Sequence, residues 1–369
     1  MDRWKRFVDW CQQPSKVKIR TFNPRNLVVI VFSILIISLV SSGAWLYQVL
    51  SVASAPAITR DNYEDLFPTL IVTEDTVLTE DHFGEVYIEA DGVTLDGNGH
   101  TITGPGEWMW NSTQRMWDTA WGIVIEGRRG VTVKNCRVTN FAVGVKLFGS
   151  DGNILLNNTV YETAWGGISI SFSVNNTLLD NTVYGTKEVV GAGFSVEMSF
   201  GNTFKGNVAY DNGIGFGLGE FEREIFEEVR SFVPEKYGGN VFEANTARAN
   251  TQAGFHIGSI LNKTFSNTFF DNNFIDNAIQ VGVPLGYANT WDDGYPSGGN
   301  YWSDYEGVDA DGDGIGDTPY VINSVSWEFD EERDEPFLVS GEADGNNVDR
   351  YPLMAPINYD MKGGENNKG

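Results

Sequence analysis

Paired asparagines five residues apart recur through the middle of this chain. The pairs are Asn153/Asn158, Asn176/Asn181, Asn202/Asn207, Asn240/Asn245 and Asn267/Asn272, and the last three gain a third member at the same offset, Asn212, Asn250 and Asn277. After each pair comes a glycine followed by alternating apolar residues, as in Gly167-Ile-Ser-Ile and Gly254-Phe-His-Ile. A period of roughly 22–26 residues containing short strands and turns is typical of a solenoid. The chain is therefore expected to grow by repetition rather than around one central core.

The alternation of the apolar positions indicates strands rather than helices. Apolar residues recur with a period of two, and Gly/Asn clusters interrupt each run after about four to six residues. In a coiled sheet the rungs stack about 4.8 Å apart, so equivalent residues form columns. We expect asparagine to suit these columns for two reasons: it tolerates a left-handed turn conformation, and its amide can bond to the copies above and below. The sequence predicts an all-β coil.

A family resemblance rests on three further motifs, Val93-Thr-Leu-Asp-Gly-Asn-Gly-His-Thr-Ile-Thr-Gly104, Gly299-Asn-Tyr-Trp-Ser-Asp-Tyr305 and Asp349-Arg-Tyr-Pro-Leu-Met354. The first resembles the opening motif of right-handed parallel β-helix proteins. That group includes carbohydrate-binding proteins, polysaccharide lyases, sugar hydrolases and the β-helical accessory proteins of nitrous-oxide-reductase maturation, described as a periplasmic copper-binding family. The resemblance covers about residues 85–355 and implies a right-handed parallel β-helix. It leaves the activity open, because one fold hosts many functions.

The charge is divided unevenly along the chain. The net charge is −25, and residues 1–26 carry seven basic and two acidic residues, so the remainder is about −30. An acidic body binds nucleic acid poorly, because phosphate neutralisation needs clustered Lys and Arg. Nucleic acid is therefore not an expected partner.

An apolar, uncharged stretch at residues 27–50 follows the basic head. It exceeds the roughly 20 apolar residues that cross a bilayer, and the basic flank places the N-terminus in the cytoplasm and the solenoid outside. We predict a single-pass transmembrane helix that anchors the protein in the cell membrane. A cleavable signal peptide is the alternative, because Ala53-Ser-Ala55 and Ala55-Pro-Ala57 resemble cleavage sites. Residues 1–50 could also dock on a membrane-protein partner.

The expected organisation has six segments: a basic cytoplasmic segment 1–26, the anchor 27–50, a linker and N-terminal cap 51–84, a parallel β-helix 85–288, a C-terminal cap 289–357 and a disordered tail 358–369. Two inserts, 105–120 and 220–239, interrupt the repeat. The first is a loop rich in tryptophan, and Trp108, Trp110 and Trp117 could stack on sugar rings or pack over the side of the coil. The second has apolar residues at helical spacing and is expected to form a short amphipathic helix.

An acidic loop is the clearest chemical motif. Its aspartates occupy positions 1, 3, 5 and 9 of an EF-hand-type calcium loop, with a glycine at position 6 and a carbonyl at position 7. The four aspartates are Asp309, Asp311, Asp313 and Asp317, the glycine is Gly314, and the carbonyl is that of Ile315. Because Ca²⁺ prefers oxygen ligands, we expect Ca²⁺ as the cofactor, stabilising the C-terminal cap. A solvated acidic turn is the alternative.

The calcium motif departs from its pattern at position 12, where Tyr320 replaces the bidentate glutamate. The missing carboxylate would have to come from Asp304, Glu306 or Asp349. Without one, the affinity for calcium would be weak.

Two outward columns define the candidate groove. The first reads Val124, Lys146, Ser169, Ser195, Gly217, His256, Gln280, and the second reads Glu126, Phe148, Ser171, Glu197, Gly219, Gly258, Gly282. The glycines would leave a shallow floor bordered by Ser195, Glu197 and His256, which we predict to bind a glycan. If the site is catalytic, Glu197 would be the base and His256 or Lys146 the acid. Solvated residues on an ordinary sheet face are the alternative.

Four sequons begin at Asn111, Asn157, Asn175 and Asn262 and are candidate glycosylation sites outside the membrane. Cys136 occupies the ladder position that Asn158 fills in the next repeat, and we expect it to be a small buried residue.

The residues favour a membrane-anchored, extracytoplasmic protein that binds carbohydrate or serves as a surface interaction scaffold. A polysaccharide lyase or glycoside hydrolase is the second interpretation, and whether the protein is an enzyme stays open. The resemblance also implies a copper-handling accessory role, but three histidines and six methionines form no cluster suited to copper. A subunit of a membrane complex is the fourth interpretation.

Overall fold

The computed structural model describes residues 68–106, 109–111, 116–118, 121–219, 238–258, 266–285, 287–330, 335–343 and 345–358. The predicted anchor, Trp108, Asn262 and residues 220–237, where the amphipathic helix was expected, lie outside the described residues. The elements of the described part are all β-strands. No helix in this part is long and apolar enough to cross a membrane.

Three parallel sheets form the body, with strands numbered in chain order. Sheet A contains β1 (Leu70–Val72), β4 (Val86–Ile88), β9 (Trp121–Glu126), β12 (Val143–Phe148), β15 (Gly166–Ser171), β18 (Ala192–Glu197), β21 (Ile214–Gly219), β24 (Ala253–Ile257) and β27 (Val281–Gly282). Sheet B contains β2 (Thr76–Val77), β5 (Thr94–Asp96), β10 (Thr132–Lys134), β13 (Ile154–Leu156), β16 (Thr177–Leu179), β19 (Thr203–Lys205), β22 (Val241–Glu243) and β25 (Thr268–Phe270). Sheet C contains β3 (His82–Phe83), β6 (Thr101–Thr103), β11 (Arg137–Thr139), β14 (Thr159–Tyr161), β17 (Thr182–Tyr184), β20 (Val208–Tyr210), β23 (Thr246–Arg248), β26 (Asn273–Ile275) and β28 (Tyr301–Trp302).

Successive strands visit the three sheets in turn, so each turn of the chain adds one rung. The first two repeats pair without a gap, because Thr132–Lys134 pairs residue for residue with Ile154–Leu156. This register agrees with the predicted equivalence of Cys136 and Asn158. This is a parallel β-helix, consistent with the right-handed coil that parallel crossovers favour.

Three antiparallel strand pairs of the described residues lie outside the three parallel sheets. They are β7 (Met109–Asn111) with β8 (Met116–Asp118), β29 (Tyr320–Val321) with β32 (Val348–Asp349), and β30 (Val325–Asp330) with β31 (Glu335–Ser340). The first pair lies in the insert at 105–120, where a loop was expected. Its alternating Met-Trp segments pair as strands, with the backbone of Trp110 opposite that of Trp117.

The predicted amide column is present inside the coil. The side-chain amide of Asn207 donates to the Leu178 carbonyl and to Asn245 Oδ1, both at 2.9 Å, while its own Oδ1 accepts from the Asn181 backbone N–H at 3.0 Å. The same column continues through Asn272 to Asn300. It ends on a carboxylate, because the Asn300 N–H donates to Asp349 Oδ2 at 2.7 Å.

The prediction that asparagine amides bond to the copies above and below is thus confirmed. The prediction that the ladder asparagines themselves adopt a left-handed turn conformation is wrong. The left-handed conformation belongs to the residue immediately before each ladder position, such as Asn157 (φ 52°), Asp180 (φ 57°) and Ala244 (φ 56°). The ladder residue that follows is buried and makes the amide bonds. At the first rung Cys136 takes the place, is buried as predicted, and donates its N–H to Asn158 Oδ1 at 3.0 Å.

The core changes from aliphatic to aromatic along the coil. Val133 and Leu155 fill the early rungs of sheet B, whereas later rungs stack Phe204, Phe242 and Phe269 with ring centroids 4.6 and 4.9 Å apart. Trp291 continues this stack at 4.3 Å from Phe269. Because equivalent rings lie one rung apart, the strand spacing sets the offset-stacked geometry that aromatic pairs favour.

Candidate functional site

The outer face of sheet A carries both predicted columns. Lys146 pairs with Ser169, Ser169 with Ser195, Ser195 with Gly217, and Gly217 with His256. In the neighbouring column Phe148, Ser171, Glu197 and Gly219 pair in that order. Side chains at alternate positions of a strand share a face, so the two columns lie side by side.

The predicted columns are wrong at their C-terminal end. His256 pairs with Gly282, not with Gln280. Strand β27 has two residues, and Gln280 precedes it at a corner, where its amide donates to Ser303 Oγ and accepts from the Asn277 amide, both at 2.9 Å. The polar corner therefore removes Gln280 from the face and shifts the register by two residues.

Glu197 is a half-buried carboxyl on this face. Ser171 Oγ donates to its Oε2 at 3.2 Å. Burial raises the pKa of Glu197, and the Ser171 hydrogen bond and the charge of Lys146 oppose that shift. A carboxyl of this kind can bind hydroxyl groups and can exchange a proton closer to neutral pH than an exposed one.

Lys146 lies two strands before Glu197 and rests on aromatic rings. Its Nζ is 3.1 Å from the ring centroid of Trp121 and 5.1 Å from that of Phe148. Burial lowers the pKa of Lys146 to about 8, against the charges of Glu126 and Glu197. The contact with Trp121 runs diagonally between rungs, because Trp121 itself pairs with Val143.

His256 is buried at the far end of the groove. Burial lowers its pKa to about 4, so the imidazole is neutral at pH 7. Its strand is two steps from that of Glu197, which corresponds to about 10 Å. Lys146 and His256 each lie two strands from Glu197, on opposite sides of it, and the charge of Lys146 acts on the pKa of Glu197.

The glycine floor is open at one end and crowded at the other. A Cβ built on Gly219 would meet no atom of the described residues within 4 Å, and one on Gly217 would make only ordinary contacts, the nearest at 3.5 Å. A Cβ on Gly258 would lie 3.0 Å from His256 Cε1. Space for a ligand therefore lies beside Glu197 and Gly219 rather than beside Gly258.

The acidic loop brings three of its aspartates together. Ligand oxygens of Asp309, Asp311 and Asp313 lie within 4.8 Å of one another. Asp317 accepts from the Ala310 N–H at 2.8 Å and closes the loop. Backbone N–H donors, that of Gly314 first, lower the pKa of Asp309. Ile315 is buried against Leu353 and Ile357, which ties the loop to the C-terminal cap.

Two of the carboxylates suggested to complete the calcium site are engaged elsewhere. Asp349 is fully buried, and its Oδ2 accepts from Asn300 and from Trp302 Nε1 at 2.9 Å. Burial raises the pKa of Asp349 to about 6. Asp304 accepts from the Tyr320 hydroxyl at 3.1 Å. The suggestion of Asp349 is therefore wrong: the residue ends the asparagine column.

The remaining predicted residues fall on the surface or outside the described part. Asn157 and Asn175 are exposed in turns, and the Asn157 amide donates to Asn135 Oδ1 at 2.8 Å. The side chains of Trp110, Trp117 and Asn111 are not among those described. Sequence reasoning missed the contact between Trp121 and Lys146; the signal for it was a tryptophan at the start of the first Gly-Ile-Val-Ile copy.

Comparison with known protein families gives one decisive match. A family model described as "Periplasmic copper-binding protein (NosD)" matches residues 69–307. The chain belongs to the NosD family. The periplasmic location in that description agrees with an extracytoplasmic solenoid. No curated protein sequence matches the chain.

Several solved structures are similar to this NosD-family chain. The periplasmic alginate epimerase AlgG is 14% identical with a TM-score of 0.42, over 63% of this chain and 53% of that one, about half of its length. The Dettilon tailspike protein gp208 is 14% identical with a TM-score of 0.42, over 75% and 68%. Pectate lyase Pel9A is 13% identical with a TM-score of 0.33, over 65% and 76%.

The copper in the family's description does not fit the residues that the structure describes. Copper sites use imidazole, thiolate or thioether ligands. Burial raises the pKa of the Cys136 thiol to about 12, and His82 on β3 belongs to sheet C whereas His256 on β24 belongs to sheet A. Among the described residues, the group of His, Cys, Asp or Glu that could hold a metal is the aspartate trio of the acidic loop. Its oxygen ligands suit a hard cation such as Ca²⁺.

Proposed function

We propose that this NosD-family protein is a membrane-anchored, extracytoplasmic binding protein that holds a carbohydrate in the groove of sheet A. The observation that carries the proposal is the Glu197 carboxyl, hydrogen-bonded to Ser171 and bordered by open space at Gly219. Ser169 and Ser195 add hydroxyl groups in the neighbouring column. Convergent hydroxyl and carboxyl groups in a groove are what orient a polyhydroxylated ligand. A surface-scaffold role would use the same face for a partner.

A glycan array tests the proposal. The full-length chain, purified in detergent, is screened with and without Ca²⁺, and the tightest ligand is then titrated against variants. Glu197→Gln combined with His256→Gln should weaken binding at least tenfold. Glu80→Gln, at an exposed glutamate between β2 and β3 and away from sheet A, is the charge-matched control and should leave binding unchanged. Equal affinity of the double variant and the control overturns the sheet A site.

Acid–base catalysis is the second candidate function, and the shifted pKa values of Lys146 and Glu197 on the same face favour it. Burial lowers the pKa of Lys146 to about 8 and raises that of Glu197, so each group is closer to donating or accepting a proton at neutral pH. Glycoside hydrolysis by two carboxylates needs a separation of at most about 9.5 Å. Glu126 and Glu197 lie three rungs apart, about 14 Å, which does not support hydrolysis by two carboxylates. The candidate reaction is instead an elimination in which Lys146 and Glu197, two rungs apart, act across the substrate.

Release of unsaturated sugar fragments from a panel of polysaccharides checks the catalytic candidate. Lys146→Met and Glu197→Gln should each abolish release while binding of the intact polymer persists in Lys146→Met. If the wild-type chain binds a polymer and releases nothing, the protein is a binding protein without this activity.

Calcium and the anchor complete the proposal. The aspartate trio supports a Ca²⁺ site that stabilises the C-terminal cap, and the apolar stretch 27–50 supports the anchor. Protease protection of the basic head in sealed membrane vesicles, with cleavage of the solenoid from the other side, tests the orientation. A head and a solenoid cleaved from the same side contradict it.

A further inference from the structure

Sheet C differs from the other two sheets in its charge. The sequence contains 50 acidic residues, yet the nine described strands of sheet C contain neither Asp nor Glu. Sheet A carries Glu126 and Glu197, and sheet B carries Asp96 and Glu243. The charged side chains in the strands of sheet C that face solvent fully are Arg137 and Arg248. A cationic face on so acidic a chain is complementary to an anion.

A row of aromatic rings joins these two arginines. Tyr161, Tyr184 and Tyr210 stack with centroids 5.4 and 4.8 Å apart and planes within 11° and 9° of parallel. The guanidinium carbon of Arg137 lies 5.5 Å from the centroid of the first ring, and that of Arg248 lies 4.4 Å from the centroid of the last. The rings face one another, so their faces are occupied and their edges point away from the stack axis. The row holds both cations in place, because a guanidinium is attracted to the face of an aromatic ring.

We infer that this row, Arg137–Tyr161–Tyr184–Tyr210–Arg248, binds a linear carboxylated polysaccharide laid along the axis of the solenoid. The inference rests on the proposed glycan-binding function but assigns a second face, on sheet C rather than sheet A. It names the ligand class as a polymer of uronic acids.

The carboxylate requirement follows from the arginines. A guanidinium donates through a planar fork that matches a carboxylate with two parallel hydrogen bonds. The polymer requirement follows from the spacing. Arg137 and Arg248 lie on strands four steps apart, about 19 Å, with a tyrosine on each of the three rungs between them. A repeating chain can meet such a row with successive sugars, and a single sugar cannot span it.

The charge density excludes a nucleic acid on this row. A duplex carries about one negative charge per 1.7 Å of axis, hence about 11 charges over 19 Å, against two arginines. Glu162 and Asp211 lie in the turns directly after Tyr161 and Tyr210 and are exposed. These carboxylates border the row on one side and would repel a wide polyanion, whereas a single sparsely charged chain can lie inside the border.

A stack that served only to stabilise the coil would need the rings but neither the hydroxyl groups nor the cations. Tyr→Phe substitution keeps the rings and removes the phenols, so the triple variant Y161F/Y184F/Y210F separates the two roles. The double variant R137Q/R248Q removes the cations and leaves every ring. The matched control is R129Q/K187Q, which removes the same charge from exposed residues in turns outside sheet C.

Calorimetric titration of the full-length chain with polygalacturonic acid tests the inference, and carboxyl-reduced polygalacturonic acid is the neutral control polymer. Wild type should bind the acid form at least tenfold more tightly than the reduced form. R137Q/R248Q should lose at least tenfold in affinity and Y161F/Y184F/Y210F at least threefold, while R129Q/K187Q changes less than twofold. Equal affinity for the two polymers, or an equal effect of the two charge-removing variants, overturns the inference.

Two further measurements distinguish a polymer site on sheet C from a lipid-headgroup site and from the site on sheet A. Vesicles containing phosphatidylserine should bind R137Q/R248Q and wild type equally; binding to vesicles that depends on these arginines, without binding to the polymer, would assign the row to a lipid headgroup and overturn the inference. In the Glu197/His256 double variant, adding R137Q/R248Q should still lower the affinity for polygalacturonic acid at least tenfold. Failure of the added substitutions to do so would instead place the polymer on sheet A.

Discussion

The inside and the outside of one coil obey different rules in this protein. Inside, each asparagine of a column makes the same bonds at every rung, with donor–acceptor distances between 2.8 and 3.1 Å from Asn158 to Asn272. Outside, on sheet A, the residue type changes along one column: Lys146, Ser169, Ser195, Gly217 and His256 follow one another. On the outside of sheet C a tyrosine does repeat, at Tyr161, Tyr184 and Tyr210. Repetition inside the coil therefore reports what stacking needs, whereas an outside column can vary or repeat with what it binds.

The difference has a physical cause. A buried amide that loses a partner leaves unsatisfied polar atoms, so a ladder position tolerates few alternatives. An outward side chain that loses a partner is hydrated instead. Stability therefore does not constrain which residue stands there, and only a bound ligand would. Inside substitutions should thus change stability and leave binding intact, and outside substitutions should do the reverse.

The largest effect is expected from Asn207→Ala. The change removes the amide that bonds to Leu178 and Asn245 and the oxygen that accepts from Asn181. Several buried groups lose a partner at about 1–3 kcal/mol each, partly offset by relaxation, so the free energy of unfolding should fall by about 4 kcal/mol. Urea denaturation followed by circular dichroism measures it.

Asn157→Gly provides the matched control for that ladder substitution. Asn157 is exposed and left-handed at φ 52°, a conformation that glycine adopts without strain, so the change should cost less than about 1 kcal/mol. Similar costs for the two variants would contradict the view that the ladder, rather than the turns, specifies the stacking.

Two glycines of one strand allow inside and outside positions to be compared by adding a single methyl group to each. On β21, a Cβ on Gly215 would lie 2.5 Å from the Gly254 carbonyl oxygen, whereas a Cβ on Gly219 meets none of the described atoms within 4 Å. Gly215→Ala should therefore destabilise by about 3 kcal/mol through overpacking, and Gly219→Ala by less than about 0.5 kcal/mol. Thermal unfolding of the two variants checks this. A destabilised Gly219→Ala would mean that the floor beside Glu197 is not open.

The same contrast explains which features the sequence could predict. The rungs and the ladder followed from a fixed five-residue offset, because a three-residue strand and its turn separate the two amide columns at every rung. The register of Gln280 could not be predicted, because β27 is short and the residue turns to bond Ser303 and Asn277. The role of Asp349 was hidden by its distance of 49 residues from Asn300, outside any period.

The candidate site was predictable only in part, because alternation predicts which residues face outward but not which of them meet. Lys146 and Glu197 were identified from their columns. The Trp121 contact runs diagonally between rungs, and the length of the lysine side chain rather than the period determines it.

An intermediate effect is expected from Lys146, an outside residue that is nevertheless partly desolvated. Its pKa is lowered from 10.5 to about 8, so between these values the unfolded state binds more protons and stability rises with pH. After a discount for partial exposure, the unfolding free energy of wild type relative to Lys146→Met should rise by about 2 kcal/mol from pH 7 to pH 10. Lys187→Met, at an exposed lysine, should show no such rise. A flat difference for Lys146→Met would place its amine in water rather than against Trp121.

The smallest change in the free energy of unfolding is expected from calcium binding at the acidic loop, where the surface is linked to the asparagine ladder inside the coil. The Met354 N–H donates to the Gly314 carbonyl at 3.0 Å, and the Leu353 N–H donates to the Asn300 carbonyl at 2.9 Å, so a chain of backbone bonds links the loop to the last amide of the ladder. Calcium at ten times its dissociation constant should raise the free energy of unfolding by about 1.4 kcal/mol.

Hydrogen exchange locates that stabilisation. Calcium should slow exchange of the Leu353 and Asn300 amides, because both lie on the chain of bonds from the loop, and should leave Val133 at the far end of the coil unchanged. The variant D309N/D311N removes two oxygen ligands from the trio and should abolish both the shift and the protection. Protection that persists in this variant would contradict calcium binding at the loop, and protection confined to the loop itself would show that an outside ligand does not reach the ladder.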